Sequence, residues 1–289
     1  MASPKGVQVA VVGSANLDIV VAVKRFPAPG ETVLGGTLLE TAGGKGLNQA
    51  VAAARVASTA LVGCVGDDSA GQMLVSRLEE AGVATLHVRR VGTPTGRAFI
   101  QVAPDGENSI VVAAAANAEL TPEDVQQALD ELRPAVVLAQ LEVPLESVLA
   151  AASWAIEHGA RFVLNPSPVQ QLPDRLIAAC DPLVVNAIEA AEVFGAAPGT
   201  DITELASGLG SRAASVVVTD GPRGAYVGTS TSVEHVPGQR VDAVDTTGAG
   251  DEFAGCLAAA LATGDALAEG AAGANRAAAR VVATARARR

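Results

Sequence analysis

The sequence has little aromatic content: five Phe, one Trp and one Tyr in 289 residues. A core of this size cannot then be built around aromatic clusters. It must be filled by Ala, Val and Leu, with helices lying close on a sheet. Cysteine is also sparse, and Cys64, Cys180 and Cys256 sit apart in apolar surroundings. No Cys-x-x-Cys pair occurs, and His87, His158 and His235 are scattered, which argues against zinc. Buried free thiols are the expectation, and they suit a reducing cytoplasm. Positive charge is in deficit, with a formal net charge of −11. That excludes a general nucleic-acid surface or an anionic-membrane surface. No apolar run reaches the roughly 18 residues of a membrane helix. The Val-rich run ending at Gly13 is too short for a signal-peptide core.

Hydrophobic residues make up 49% and charged residues 18%, enough for a large core. The length suits one large α/β domain with a small appendage. The densest chemistry lies near the C-terminal end, in Asp245-Thr246-Thr247-Gly248-Ala249-Gly250-Asp251-Glu252-Phe253. Two carboxylates bracket a Gly-Ala-Gly turn that feeds an apolar helix-like run, 253–263. Such a turn leaves backbone N–H groups pointing outward at the positive end of a helix dipole, which makes an anion site. The same residues also read as a plain helix start with an Asp in its first turn.

In chain order, 7–12 is a buried strand followed by Asn16 and Asp18, either an Asx turn or ligand-facing groups past a strand end. Segments 19–23 and 33–41 read as β around a Pro/Gly turn. Ala42-Gly43-Gly44-Lys45-Gly46-Leu47-Asn48-Gln49 precedes a helix over 50–57 and lacks P-loop spacing. Its Lys and Asn suit hydroxyl recognition, or the segment is simply a capped loop. Strands are expected at 61–65 and 83–88, a helix at 71–81 stopped by Gly82, and a hairpin at 95–103 and 108–113 joined by Pro104-Asp105-Gly106-Glu107. The β pieces 19–41 and 95–113 make a candidate four-stranded flap.

From Thr121 strands and helices alternate. Helices are expected from Thr121-Pro122, over 144–158 and over about 267–283. Strands are expected at 135–139, 162–164, 182–185 and 215–219, with short antiparallel strands at 226–228 and 233–236. This implies a mostly parallel sheet with helices on both faces. Polar residues fall at strand ends: Asn16 and Asp18, Glu142, Asn165, Asn186 with Glu189, Asp220, and Asp245 with Asp251. Right-handed crossovers place them all on one rim.

Two motifs stand at either end of an ordered series: Gly43-Gly44-Lys45-Gly46-Leu47-Asn48-Gln49-Ala50 and the stretch 245–253, with Gln140-Leu141-Glu142, Asn165-Pro166, Asn186-Ala187-Ile188-Glu189 and Thr219-Asp220-Gly221-Pro222-Arg223-Gly224 between them. On these motifs the chain resembles the ribokinase-like sugar kinases over about residues 7–283. The resemblance implies a three-layer α/β/α sandwich with a mostly parallel central sheet and a small β-sheet lid, made of about 19–41 and 95–113. It implies ATP-dependent phosphorylation of a sugar hydroxymethyl group, with D-ribose the first expectation and another small sugar or a nucleoside the alternative. A non-catalytic sugar or nucleotide binder is a third reading, against which the Gly-Ala-Gly turn and Asp251 stand.

Residue by residue, the resemblance makes Asn16, Asp18, Gly44, Lys45, Asn48 and Glu142 the sugar-contacting set. Asp251 becomes the catalytic base, also touching sugar, and Gly248, Ala249 and Gly250 the anion hole. Asn186 and Glu189 would order Mg²⁺, partly through water. Asn186, Thr219, Gly221, Gly224, Gly250 and Asn275 would contact the nucleotide. Asp245 would serve sugar or, with Thr247, a monovalent cation. The family commonly completes a K⁺ site with a Gly-Ala-x-x-Ser-like loop after the last core helix. Here Val281-Val282-Ala283-Thr284-Ala285-Arg286-Ala287-Arg288-Arg289 follows instead, so K⁺ activation is in question. The basic tail reads as a solvated helix end. A homodimer through the lid is implied, and Asp220 departs from the family pattern. Only Phe26 and Phe99 are aromatic in the lid, which disfavours stacking a nucleoside base.

Overall fold

Valine builds the central sheet. β1 (Val9–Val12) reads Val-Ala-Val-Val, and every residue is buried. The same holds for β8 (Val136–Ala139), and nearly so for β9 (Arg161–Leu164), β10 (Leu183–Asn186) and β11 (Val216–Thr219). Unbroken apolar strands of this kind must be covered on both faces. A computed structural model describes residues 6–104 and 106–284 of the chain. Asp105 of the hairpin turn and Arg286, Arg288 and Arg289 of the basic tail therefore lie outside the described residues.

The main sheet has nine strands in the order β13-β12-β11-β10-β9-β8-β1-β4-β5. β4 (Thr59–Gly66) and β5 (Val88–Val91) extend one side. β12 (Gly224–Gly228) and β13 (Val233–Pro237) close the other side antiparallel, while the remaining neighbours are parallel. One apolar cluster joins α1 (Lys45–Ala54), α2 (Ser69–Glu80), α8 (Ala249–Thr263) and α9 (Leu267–Val282) to one face of the sheet. A second joins α3 (Pro122–Leu132), α4 (Leu145–His158), α5 (Asp174–Ala179), α6 (Ala187–Phe194) and α7 (Ile202–Gly210) to the other. The result is the expected α/β/α sandwich. Its core is Ala, Val and Leu, and Phe162 is its largest fully buried side chain.

Helix ends follow local chemistry. Thr121 and Asp124 form a reciprocal capping box on α3. α4 stops at Gly159, which adopts a left-handed conformation at φ +68°. A separate four-stranded sheet has the order β3-β2-β6-β7, from β2 (Asn16–Ala22), β3 (Leu38–Gly43), β6 (Gly96–Val102) and β7 (Asn108–Ala113).

Several expectations are corrected. The strand at 83–88 lies instead at Val88–Val91, because 83–87 connects to it through turns, with Ala84 making one isolated bridge to Ala60. β2 starts at Asn16, so Asn16 and Asp18 sit on a strand of the second sheet, not in a turn after β1. The helix expected at 50–57 begins at Lys45 and ends at Ala54. The run at 253–263 is helical from Ala249. α5 and α7 carried no clear signal.

Candidate active site

The site forms where glycines allow chain segments to approach. Gly44 caps α1 at φ +90°, and an added Cβ there would lie 2.8 Å from the Asn16 backbone nitrogen. A Cβ on Gly43 would lie 2.3 Å from the carboxyl atoms of Asp18. The start of α1 is thereby pressed against β2, and the Asp18 carboxylate lies against β3. Glu142, just past β8, closes this corner. Its Oε2 accepts from the Lys45 backbone N–H at 3.1 Å, Ser14 Oγ at 2.5 Å and Asn16 Nδ2 at 3.4 Å. A carboxylate thus fills the positive end of α1. Glu142 Oε1 makes no hydrogen bond among the described residues.

Asn16 is in turn held by Asn117, whose Nδ2 donates to Asn16 Oδ1 at 2.7 Å and whose Oδ1 accepts from the Ala15 N–H at 2.9 Å. Asn117 was missed in the sequence. The only signal for it is a buried Asn in an Ala-rich segment.

The second helix start is α8. Gly248 caps it at φ +78°, with no side-chain cap. Ala249 N donates to Thr246 O at 3.2 Å. The N–H groups of Gly250 and Asp251 are first-turn donors for which the helix itself has no acceptor. Thr247 N donates to Asp245 Oδ1 at 2.9 Å, folding the approach to the turn. The Asp251 side chain is buried. Its Oδ2 accepts from Asn48 Nδ2 at 3.1 Å and its Oδ1 from Gln49 Nε2 at 3.0 Å. Burial raises its carboxyl above the usual Asp range. Lys45 and the Gln49 and Asn48 donors pull it down, and Glu142 adds a small upward push.

Asp251, Lys45, Asn165, Asn186, Glu189, Thr219, Gly248 and Gly250 line one cavity of about 170 Å³. Here the rims of β9, β10 and β11 meet the start of α8, as the strand-end pattern implied. Gly248 also lines a cavity of about 390 Å³ that includes Asn48, Arg55, Arg77 and, from β3, Leu39 and Thr41. Asn186 and Glu189 cap α6 reciprocally. Asn186 Oδ1 accepts from the Ile188 and Glu189 N–H groups, and Glu189 Oε2 accepts from the Asn186 N–H, all at 2.9 Å. Glu189 Oε1 and Asn186 Nδ2 have no hydrogen bond among the described residues. Among those residues no group of three or more His, Cys, Asp or Glu could hold a metal alone.

Gly221 and Gly224 lie on the turn after β11, where Asp220 is paired with Arg223 by two contacts of 2.6 Å. The Arg223 pairing neutralises the unusual acidic residue. Asn275 lies outside the 170 Å³ cavity. It is buried, and its Nδ2 donates to the Val236 and Pro237 carbonyls at 3.2 and 3.3 Å.

The arrangement joins a corner of carboxylate and amide side chains to an uncapped helix start with a carboxylate in its first turn. It can hold a polyhydroxylated substrate and stabilise negative charge developing on a transferring group. No helix among the described residues is long and apolar enough to cross a membrane.

The chain matches the pfkB family carbohydrate kinase pattern over residues 7–289. It is 39% identical to a ribokinase of Haemophilus influenzae over 263 residues, covering 87% of this chain and 84% of that one. It is 37% identical to a deoxyribokinase of Salmonella typhi over 257 residues, covering 86% and 84%. Its fold superposes on an Arabidopsis thaliana ribokinase complexed with ribose and ATP at a TM-score of 0.87, with 29% identity and 97% and 94% coverage. With nearly the whole chain matched, the protein belongs to the pfkB family of carbohydrate kinases.

Proposed function

We propose that this kinase transfers the γ-phosphoryl group of ATP to the primary hydroxyl of D-ribose, giving ribose 5-phosphate and ADP. The observation that carries the reading is the buried Asp251 carboxylate in the first turn of an uncapped α8. The ribokinase names among the relatives support ribose. The Arabidopsis complex, whose title names ribose and ATP, supports the substrate pair.

Asp18, Asn16, Gly44, Lys45, Asn48 and Glu142 supply donors and acceptors for the sugar hydroxyls. A wrong sugar leaves some of them unpaired, at about 1–3 kcal/mol each. Phosphoryl transfer is mostly positioning and charge stabilisation. The hydroxyl oxygen bonds to the γ-phosphorus as the bond to the ADP oxygen breaks. The hydroxyl proton passes to Asp251. Within the Gly248 to Asp251 segment, the Gly250 and Asp251 amides face the phosphoryl oxygens, Ala249 holding the turn through its N–H to Thr246, and Lys45 adds positive charge. Thr219, Gly221, Gly224 and Asn275 take the nucleotide side in this reading, Asn275 acting through the β13 carbonyls it holds.

Glu189 fits a hydrated Mg²⁺, because its Oε1 stays outside the α6 cap and can accept from a metal-bound water, while Asn186 Nδ2 is left to donate to a phosphate oxygen. Mg²⁺ would neutralise charge on the phosphates. Asp245 and Thr247 are the candidate oxygens for a monovalent cation. The four-stranded sheet acts as a lid that excludes water from the transfer. It exposes Leu38, Leu39, Phe99, Ile110, Val111 and Val112, an apolar surface suited to a homodimer. Three buried free thiols suit a cytoplasmic enzyme.

A deoxyribose reading has its own support, since the deoxyribokinase relative is nearly as similar as the ribokinase. The base assignment is tested by Asp251→Asn. Turnover should fall at least about 100-fold while sugar affinity, measured by calorimetry, survives. Near-normal turnover would refute it.

A further inference from the structure

We infer that Gln49, oriented by Gln140, is the positioning residue that aims the Asp251 carboxylate at the sugar hydroxyl. This rests on the reading of Asp251 as the base. Both glutamines are fully buried, so neither can touch a substrate directly. Gln49 Nε2 donates to Asp251 Oδ1 at 3.0 Å and to Asn165 Oδ1 at 3.1 Å. Gln140 Nε2 donates to Gln49 Oε1 at 2.6 Å.

The direction of this chain is forced. An ionised carboxylate only accepts, so the Gln49 amide must turn its nitrogen to Asp251. Its oxygen then faces Gln140, which must present nitrogen in turn. The Gln140 oxygen is left buried without a hydrogen-bond partner. An orphaned buried carbonyl costs about 1–3 kcal/mol, and an apolar side chain of similar volume would avoid it. What Gln140 contributes here is its N–H.

The backbone is shaped to admit the relay. A Cβ on Gly13 would lie 2.0 Å from Gln140 Oε1, and a Cβ on Gly255 would lie 2.3 Å from the Gln49 carbonyl oxygen. The first clears room for the Gln140 amide. The second brings α8 against α1 one turn beyond Asp251, which fixes the reach of Gln49. Asn48, the residue before Gln49 on α1, holds the other carboxylate oxygen and also lines a cavity. Neighbouring amides thus divide the work, Asn48 at the ligand face and Gln49 behind it. The charged groups that share the pocket or influence Asp251 are Lys45 on α1, Glu142 after β8 and Glu189 on α6.

The test compares Gln49→Met and Gln140→Met with the wild-type enzyme, using kcat, sugar KM and the pH dependence of kcat. Gln49→Met should lower kcat at neutral pH about 10–100-fold, the loss expected for a hydrogen bond to a charged group. Sugar KM should stay within about threefold. The acid limb of the profile should move to higher pH, since the carboxylate loses a donor that favours its charged form. Gln140→Met, which does not touch Asp251, should move both quantities the same way by a smaller factor. It also keeps the test available should Gln49→Met fail to fold. An acid limb unmoved in the folded variants, or a change confined to KM, overturns the inference. Loss of turnover in Asp251→Asn with an unmoved limb in both glutamine variants defeats this inference alone. Full turnover in Asp251→Asn defeats the base assignment beneath it.

Discussion

The molecule starts two helices in nearly the same way and uses them oppositely. α1 and α8 both begin after a glycine at positive φ, Gly44 at +90° and Gly248 at +78°, and neither has a side-chain cap from that residue. At α1 the protein supplies its own anion, because Glu142 accepts from the Lys45 N–H. At α8 no side chain caps the first turn, and the Asp251 carboxylate is held away from it by Asn48 and Gln49. A filled helix start is a fixed platform for neutral hydroxyls. An uncapped one remains available to a phosphoryl group. A glycine-led helix start therefore does not declare its role. The partner that arrives from a distant strand end decides it.

Removing the anion from α1 should produce the largest effect on this contrast. Glu142→Gln should raise sugar KM about 10–100-fold, through loss of charged hydrogen bonds, and leave KM for ATP within about twofold. Equal changes in both constants would mean that the two helix starts are not functionally separate. Next comes the backbone. Gly44→Ala meets both the positive φ and a 2.8 Å approach to the Asn16 nitrogen, whereas a Cβ on Gly248 meets nothing within 4 Å. Gly248→Ala should cost about 1–2 kcal/mol from conformation alone, and Gly44→Ala more, as read by denaturant unfolding. Equal losses would contradict the tighter packing of α1.

A smaller effect is expected in the pH profile. Burial raises the Asp251 carboxyl, and the base acts only when ionised. Activity should fall on acidification through a value above the ordinary Asp range of about 3.9. The same shift means that the folded chain holds this proton more readily than the unfolded chain. Asp251 therefore lowers stability above that range and ceases to do so below it. An acid limb at or below the ordinary range would contradict the buried setting. The smallest effect is a lack of reaction. Burial pushes the Cys64 thiol up to about 11 and that of Cys256 to about 12, with Cys180 higher still. Alkylation at pH 8 should leave all three unmodified in the native enzyme and modify all three after unfolding.

Much of this was legible in the sequence because the signals are local. Short apolar runs, mostly of valine, mark β8, β10 and β11, with Phe-Val-Leu marking β9, and Gly82 and Gly159 mark helix ends, each at positive φ. The shared rim followed from strand alternation alone, with Glu142, Asn165, Asn186 and Thr219 at successive strand ends. What stayed hidden depends on distant contacts. Asn16 read as either a turn residue or a ligand-facing group, and its place on β2 was hidden because its strand partners, Gly43 and Gly96, lie far along the chain. The early starts of α1 and α8 were hidden because glycine is a weak helix former and the tertiary packing overrides that preference. α5 and α7 are short, six and nine residues, and carry little periodicity. Gln49 and Gln140 were visible as motif residues, but the meeting of Gln49 with Asp251 spans 202 positions and the contact between the two glutamines spans 91.

The central claim is that the polar corner at α1 selects ribose for transfer at α8. It is tested most directly by a coupled ADP-release assay with ribose, deoxyribose, fructose, adenosine and pseudouridine, run in Na⁺ and in K⁺. The account predicts the highest kcat/KM for ribose. A low KM for a nucleoside with no turnover of ribose, or a clear preference for deoxyribose, would contradict it.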